Sequence, residues 1–345
     1  MRKMLQRLLV IILVIVPMGL QAGGEDDIKR LVEEGMVMHD NNDYQGAIIK
    51  YKDALKINKH SGLANYELAY TYYTIGEYKN ALKFSKRVLK KTNEHKPEAY
   101  IISGSSLDLL GRPGKAIQVF EGAIKAYPNN YLLYYNLALS AYGINDLQKA
   151  EDAVIDAIYT NMSHASSHLL LSYIMNRKGS RVKSILPAYF FLLLEPDTKR
   201  SAEVYEFLVA KLNEGVQKLR DSTVHVNIPF LRHTTDDFGP AELIISMVAT
   251  AAKLNKENPD SFMEEFSGIN NNIFNMLGEL KQDKMGFYWD KYVDVFYDLA
   301  LSDNMLAYSY YVSQTQKAVK AREWLSSHPS EVERFSQWLY LKLDL

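Results

Sequence analysis

The sequence contains no cysteine among its 345 residues. This absence excludes disulfides and thiolate-bound metals, and it also excludes the lipid-modified cysteine of a bacterial lipoprotein. An excess of charge of one sign is missing too, because 40 Lys and Arg stand against 41 Asp and Glu, for a formal net charge of −1. We therefore expect no nucleic acid partner and no acidic tail.

Long apolar runs are scarce as well. The run from Leu8 to Leu20 has 13 residues, whereas a membrane-spanning helix needs about 20. Basic residues precede the run and small residues follow it, which is typical of a secretory signal peptide. We predict a signal peptide over residues 1–22, cleaved after Ala22, with an uncleaved membrane anchor as the alternative. The mature chain is then expected to be exported, soluble and periplasmic, and to meet a membrane only through a partner.

Local catalytic motifs are also lacking. The sequence has no nucleophile elbow, phosphate loop, dinucleotide fingerprint or paired-ligand metal motif. The stretch from Gly111 to Lys115 only superficially resembles a phosphate loop, and we interpret it as a helix break. We therefore predict no catalytic residues, no cofactor and no metal. An enzyme with a dispersed site in the C-terminal helices stays an alternative, because such a site leaves no local signature.

What the sequence does contain is an internal repeat with a period of 34 residues. Small residues mark five units at steps of 34, 35, 34 and 34 residues: Ala47, Ala81, Ala116, Ala150 and Ser184. A second small residue lies twelve positions earlier in each unit: Gly35, Ala69, Gly104, Ala138 and Ser172. Turn-forming residues separate the two halves of each unit: Asn42-Asp43, Gly76-Glu77, Gly111–Gly114, Asn145-Asp146 and 177–180.

Further positions complete the pattern, with exceptions. The position four residues after each of the first small residues is bulky in three units, as Tyr51, Phe120 and Val154, but it is Ser85 or Ala188 in the other two. Small residues lie seven positions after these first small residues in Ala54, Ala123 and Ala157, but Val88 and Phe191 differ. The period and these positions resemble the tetratricopeptide-repeat family. The resemblance implies helix–turn–helix repeats at about 28–61, 62–96, 97–130, 131–164 and 165–198.

The family's first helices line a concave groove, and the corresponding positions here are rich in tyrosine. We predict these partner-binding residues: Tyr66, Tyr70, Tyr73, Tyr135, Tyr142, Tyr173 and Asn176. Val32 and Leu169 also occupy positions that the resemblance turns inwards. A tyrosine offers a rigid contact area with a polar tip, which suits a peptide ligand. The alternative is that these rings only fill the groove or pack against the C-terminal region.

The 34-residue phase ends near Ser201, and no family resemblance extends beyond it. We expect a capping helix over 199–220, a linker over 221–239 and a small helical domain over 240–345. His225, His233, Asp236 and Asp237 lack the spacing of a zinc motif and are interpreted as polar linker residues. The aspartates at 290, 294 and 298 are interpreted as a solvated stripe, with a cation or a basic partner as the alternative.

The predicted fold is therefore all-α: a tetratricopeptide-type solenoid of about five repeats, a capping helix and a small C-terminal helical domain. The predicted function is that of a non-catalytic protein-interaction scaffold of the cell envelope, which binds peptide segments of a partner protein in its tyrosine-rich groove. A structural subunit of an envelope or outer-membrane assembly is the alternative, beside the enzyme considered above.

Overall fold

The computed structural model describes residues 19–90, 94–218, 224–226, 237–254, 262–314 and 319–343. Most of the predicted signal peptide, residues 1–18, lies outside the described residues, and residues 19–22 begin the first helix. The chain divides into two compact units, which meet in sequence between Arg112 and Pro113. We call them the N-terminal unit and the C-terminal unit and treat each by itself.

The N-terminal unit consists of helix pairs whose lengths match the repeat. Its helices are α1 (Gly19–Asp40), α2 (Tyr44–Ile57), α3 (Gly62–Thr74), α4 (Tyr78–Leu89) and α5 (Lys96–Leu109). Here α1, α3 and α5 are the first helices of repeats one to three. Consecutive helices pack against each other, and α3 also contacts α1 and α5. The core of this unit therefore lies between the first and second helices.

The C-terminal unit continues the repeats and then departs from them. Its repeat helices are α6 (Pro113–Ala126), α7 (Tyr131–Gly143), α8 (Leu147–Thr160), α9 (Ala165–Arg177) and α10 (Arg181–Leu194). Helix α11 (Lys199–Leu212) follows, then a two-stranded antiparallel ribbon of β1 (Val216–Lys218) and β2 (Val224–Val226). The helix expected over 199–220 thus ends at Leu212, and residues 216–218 of that span form a strand.

Six further helices and one π-helical turn complete the described chain. The helices are α12 (Gly239–Leu254), α13 (Phe262–Lys281), α14 (Asp294–Ala300), α15 (Met305–Val312), α16 (Val319–Ser327) and α17 (Pro329–Leu343). The π-helical turn, Trp289–Val293, leads directly into α14. The predicted domain boundary at residue 240 falls within the C-terminal unit. No helix among the described residues is long and apolar enough to cross a membrane.

The turns inside the five repeats share one backbone conformation. A residue with positive φ follows the first helix in each repeat: Asn42, Gly76, Gly111, Asn145 and Gly179, with φ between 63° and 78°. Glycine and asparagine tolerate this left-handed conformation better than other residues, and it closes the carbonyl end of a helix. The turn residues identified in the sequence therefore set the end of each first helix.

Small residues allow the two helices of a repeat to approach closely. A Cβ atom added to Gly35 of α1 would lie 2.5 Å from Cε1 of Tyr51 on α2. Ala69 and Ala138 occupy the same position in α3 and α7, and both are fully buried. The marker residues of the repeat are buried as well, which confirms the packing that the period predicts.

Helix α10 is the second helix of the last repeat, and it is buried on almost all sides. Tyr189 of α10 contacts Phe274 of α13 and Phe296 of α14, with ring centroids 5.0 and 5.7 Å apart. Phe190 packs on His168 of α9 at 4.4 Å. Phe191, where the repeat pattern expects a small residue, is fully buried, and the guanidinium of Arg200 in α11 lies 5.4 Å from its ring centroid. The C-terminal helices thus cover α10 where a further repeat would otherwise lie.

Candidate partner-binding faces

A row of stacked rings runs along the first helices of the N-terminal unit. Tyr66 and Tyr70 of α3 lie nearly parallel, with centroids 6.4 Å apart. Tyr70 stacks on His39 of α1 at 5.1 Å, and Tyr66 stacks on His95, the residue before α5, at 5.0 Å. We call these four residues the aromatic row. Three first helices thus contribute to one surface, because α3 contacts both α1 and α5.

The aromatic row is fixed in position yet open to solvent. Tyr70 is 43% exposed, and Tyr66 is partly buried. The imidazole Nδ1 of His39 lies 2.8 Å from the hydroxyl oxygen of Thr71, which sets the orientation of the ring. Tyr73, one turn further along α3, packs against Tyr78 at 5.7 Å. The three predicted tyrosines of this unit therefore lie on one helix face and present partly exposed rings.

Glu67 lies beside the aromatic row in an unusual environment. Only 9% of this residue is exposed, and its carboxylate makes no hydrogen bond or ion pair with any described residue. Burial, together with repulsion from Asp40, raises the pKa of Glu67 to about 7. Burial of an uncompensated carboxylate favours its neutral form. Glu67 therefore changes charge near neutral pH.

Other carboxylates reinforce the negative character of this face. Burial, followed by the charges of Glu67 and Glu98, raises the pKa of Tyr66 to about 12. One carboxylate oxygen of Glu98, Oε2, is buried without a hydrogen-bond partner. Asp108 of α5 similarly contributes to a raised pKa at Tyr73, where burial is the largest cause. The tyrosines of this unit therefore share their surface with acidic groups.

A cleft of about 730 Å³ lies at one end of the aromatic row. His95 belongs to both the row and the cleft, so the two surfaces are continuous. Among the described residues of the lining, Glu25 and Glu94 are charged, and none is a lysine or an arginine. Ile28, Ile57 and Leu63 supply apolar surface. The cleft thus offers room for a side chain or a short extended segment.

In the C-terminal unit the predicted residues lie on α7 and α9. His164 contacts Tyr131 at 4.8 Å and Tyr135 at 4.9 Å, so the end of α9 packs on α7. Arg200 donates a hydrogen bond to the hydroxyl oxygen of Ser166 at 3.1 Å. Burial raises the pKa of Tyr135, and the nearby charge of Arg200 opposes that shift.

An arginine and a carboxylate both accompany the other predicted residues of this unit, because burial, followed by the charge of Glu203, raises the pKa of Tyr173. The guanidinium of Arg177 lies 4.6 Å from the ring centroid of Tyr142, a cation–π contact. Tyr173 is 36% exposed and contacts Phe207 of α11 edge-on at 6.4 Å. Asn176 is partly buried on the same helix as Tyr173. The chain itself therefore covers part of the rings of Tyr142 and Tyr173.

The prediction that two further residues face the groove is wrong. Val32 is fully buried in the core of the N-terminal unit, and Leu169 is buried in the C-terminal unit. Sequence reasoning also missed three contributors to the aromatic face. His95 precedes its helix, and Glu67 and Glu98 are isolated acidic residues in apolar stretches. Only the packing of α3 between α1 and α5 brings them together.

The acidic stripe of the C-terminal unit is paired within the chain. The ammonium of Lys281 lies 2.9 Å from Asp290 and 2.6 Å from Asp294, and Lys342 pairs with Asp298. His233 and Asp236 of the other constellation lie outside the described residues. Among the residues that are described, no group of three or more His, Asp or Glu is placed to hold a metal ion.

Comparison with known proteins places the repeats in a family. A family model described as "Anaphase-promoting complex, cyclosome, subunit 3" matches residues 40–123, and a tetratricopeptide-repeat model matches residues 104–166. The TPR repeat-containing protein MJ1428 of Methanocaldococcus jannaschii is 26% identical over 162 residues. That match covers 46% of this chain and 28% of the relative, so the chain spans less than a third of the relative's length.

Solved structures of repeat proteins are also similar. The structure of pilF from Pseudomonas aeruginosa has a TM-score of 0.49 and 20% identity, over 56% of this chain and 86% of its own. YrrB, described as a TPR protein with an unusual peptide-binding site, has a TM-score of 0.42 and 16% identity, over 54% of this chain and 95% of its own. The 34-residue period, the helix pairs that carry it and the matched repeat models together show that this chain is a tetratricopeptide-repeat protein.

Proposed function

We propose that this chain is a non-catalytic scaffold that binds peptide segments of a partner protein on the tyrosine faces of its first helices. Tetratricopeptide repeats generally mediate protein–protein interactions. The observation that carries the proposal is the aromatic row, in which rings from α1, from α3 and from the residue before α5 are stacked and partly exposed. A surface of this kind is uncommon on a protein without a binding partner.

The physical advantage of such a surface is preorganisation. A tyrosine has few rotatable bonds, so it loses little conformational entropy when a ligand covers it. Stacking of Tyr70 between His39 and Tyr66 removes part of that entropy before any ligand arrives. The free-energy cost of ordering the binding surface is thereby reduced. The hydroxyl groups remain available to hydrogen-bond a peptide backbone.

The test is a selection of peptides by the full chain. A phage-displayed library of random 12-residue peptides would be selected on the wild-type protein, and the recovered peptides would be measured against Tyr70→Ala and Tyr142→Ala. Truncation of a central interface aromatic commonly costs 2 kcal/mol or more, which is about thirtyfold in Kd. We expect a loss of this size from one or both variants.

The matched control is Tyr340→Ala, because Tyr340 is 63% exposed on α17, outside both faces. This variant should bind the selected peptides like the wild type. Recovery of no peptide, or equal binding by all three variants and the wild type, would contradict a peptide-binding role for the tyrosine faces.

We also propose that the protein acts in the cell envelope after export. The support is the positively charged start and short apolar run of residues 1–22. Mass spectrometry of the exported protein should show a chain that begins near Gly23. An exported form that retains Met1 would contradict cleavage and favour the membrane anchor.

A further inference from the structure

Charge is segregated between the two sets of helices in the N-terminal unit. The first helices α1, α3 and α5 carry nine Asp and Glu but three Lys and Arg. The second helices α2 and α4 carry seven Lys and Arg but one Asp. The near-zero net charge of the whole chain conceals this division. The tyrosine face therefore lies on the acidic side of the unit and attracts cations.

Glu67 is the carboxylate of this acidic face that is best suited to pair with a cation. Glu67 as a residue is nine-tenths buried and its carboxylate is unpaired among the described residues, an arrangement that costs free energy in the unliganded protein. The carboxylate acts on Tyr66 of the aromatic row and is repelled by Asp40 at the end of α1. A positive group that reached this position would therefore offset the repulsion between Glu67 and Asp40, and it would also supply the carboxylate of Glu67 with a partner.

The aromatic row supplies the second half of a cation site. The rings of Tyr66 and Tyr70 are stacked, and in α3 Tyr66 directly precedes Glu67 while Tyr70 follows it by three residues. Aromatic faces attract ammonium and guanidinium groups, and they also cover the apolar stem of a long basic side chain. A carboxylate and two rings together recognise both the head and the stem of such a side chain, which neither group does alone.

We propose that the N-terminal unit binds a partner segment carrying a lysine or arginine, whose cationic head pairs with Glu67 and whose stem lies against Tyr66 and Tyr70. This inference rests on the proposed peptide-binding function and specifies the chemistry of the partner. The cleft beside His95, whose lining contains Glu25 and Glu94, accommodates the residues that follow in the bound segment.

The C-terminal unit provides an internal contrast. Helices α7 and α9 carry no Asp or Glu, and their charged residue is Arg177, which covers the ring of Tyr142. At Tyr142 a cationic side chain meets a positive group instead of a carboxylate, whereas the charge of Glu203 acts on Tyr173. Selection for a basic residue is therefore expected at the aromatic row of the N-terminal unit and not at Tyr142.

The experiment compares one peptide and its neutral analogue on the full-length protein. Peptides recovered from the random 12-residue library whose binding is lost in Tyr70→Ala should be enriched in Lys and Arg. The tightest of these would be synthesised with its basic residue and with norleucine in its place. Fluorescence polarisation at pH 8 would then give the Kd of both peptides for wild type, Glu67→Gln and the matched control Glu33→Gln.

We expect norleucine to weaken binding to the wild type and to Glu33→Gln at least tenfold. Glu33 lies exposed on α1, so its substitution removes the same charge away from the aromatic row. In Glu67→Gln the two peptides should bind within about threefold of each other. The interaction between the basic residue and Glu67 is thereby isolated as a double-mutant cycle. Melting curves of all variants would show that each one is folded.

Lowering the pH supplies an independent readout. Asp40 of α1, Tyr51 of α2 and Tyr66 of α3 are the titratable groups whose charges act on Glu67 or respond to it. Because protonation of Glu67 removes its charge, the Kd of the basic peptide should rise between pH 8 and pH 6. The rise should be smaller in Glu67→Gln, because this variant lacks the carboxylate that becomes protonated.

The outcomes separate the two proposals. If peptides bind and depend on Tyr70 but show no basic enrichment, the peptide-binding function stands and the cation site is refuted. The same conclusion follows if norleucine costs as much in Glu67→Gln as in the wild type. If Mg²⁺ or Ca²⁺ alone binds and Glu67→Gln abolishes it, a metal site replaces the proposal. Recovery of no peptide refutes both proposals.

Discussion

The ion pair between Arg181 and Glu242 joins the last repeat to the C-terminal helices, and its removal should destabilise the C-terminal unit. Arg181 begins α10 and is 2% exposed, and Glu242 in α12 is 1% exposed. The Nε atom of Arg181 donates to Oε2 of Glu242 at 2.7 Å, and Nη2 of Arg181 donates to the Glu242 carbonyl oxygen and the Ser246 hydroxyl oxygen. The backbone amide of Val182 donates to Oε1 at 3.0 Å.

The substitution Glu242→Ala removes the carboxylate that pairs with the buried guanidinium, and it leaves the amide of Val182 without its acceptor. Breaking a buried pair by removing one partner costs about 3–5 kcal/mol. The lost bond to Val182 adds about 1–3 kcal/mol if no water replaces the acceptor. Because domains are stable by only about 5–15 kcal/mol, the variant should lose a large part of the free energy of unfolding.

The assay is urea unfolding of the full chain, followed by circular dichroism and fluorescence. The double variant Arg181→Met with Glu242→Leu removes both charges and should recover most of the loss, because apolar replacement of a buried pair is often neutral or better. The exposed pair of Arg322 and Asp197 is the matched control, and Asp197→Ala should cost at most about 1 kcal/mol. The reasoning is refuted if Glu242→Ala costs no more than Asp197→Ala.

Three further predictions concern the repeats and their buried ionisable groups. Ala138→Leu should overpack α7 and cost about 1–3 kcal/mol, whereas Tyr142→Ala should cost less; equal losses in melting temperature would mean that the ring belongs to the core. Glu67 has a pKa of about 7 in the folded chain, against an ordinary value of 4.5. Its contribution to the free energy of unfolding is therefore fully present below pH 4.5 and is lost as the pH rises through 7. Glu67→Gln should therefore exceed the wild type in stability by about 1–3 kcal/mol at pH 8, and the difference should vanish near pH 5. Burial lowers the pKa of His168 in the folded chain from 6.5 to about 3. The contribution of the neutral imidazole to the free energy of unfolding is therefore present above pH 6.5 and is lost as the pH falls towards 3. Denaturant titrations should show a wild-type loss of up to about 1.4 kcal/mol per pH unit in this window, which His168→Gln lacks.

The repeat architecture was predictable because its determinants are local. Asn42 and Asn145 stand in the same turn position as glycines in the other repeats, and all adopt positive φ. Gly35 and the small residues equivalent to it follow from the close approach of two helices that are adjacent in sequence. Where a contact joins neighbouring segments at a fixed spacing, periodicity alone reveals it.

The candidate site was predictable only in part, because much of it depends on packing between helices distant in sequence. Tyr66 and Tyr70 follow from their register within a repeat. The burial of Glu67 depends on how α3 meets its neighbours, and in the sequence it is a single acidic residue among apolar ones. His95 lies outside any helix and joins the aromatic row only through the fold.

The C-terminal region shows the same limitation. Its helices could be located from their apolar spacing, but the partners of α10 could not. His168 reaches Tyr292 across 124 residues of sequence, at 2.7 Å between Nδ1 and the hydroxyl oxygen. Tyr189 reaches Asn270 at 2.5 Å across 81 residues. Because such contacts have no fixed spacing in the sequence, its periodicity does not predict them.

The enclosure of α10 determines where this repeat family can gain or lose units. A copy of residues 131–164 inserted before repeat five would leave α10 and its surroundings unchanged, so duplication there preserves the last interface. A copy inserted after residue 198 would instead have to displace helices that contact Tyr189 and Phe190. Growth of the array by recombination is therefore tolerated upstream of repeat five and opposed downstream of it. Homologues of different length should accordingly differ in the repeats before residue 165, while they keep the last repeat joined to its C-terminal helices.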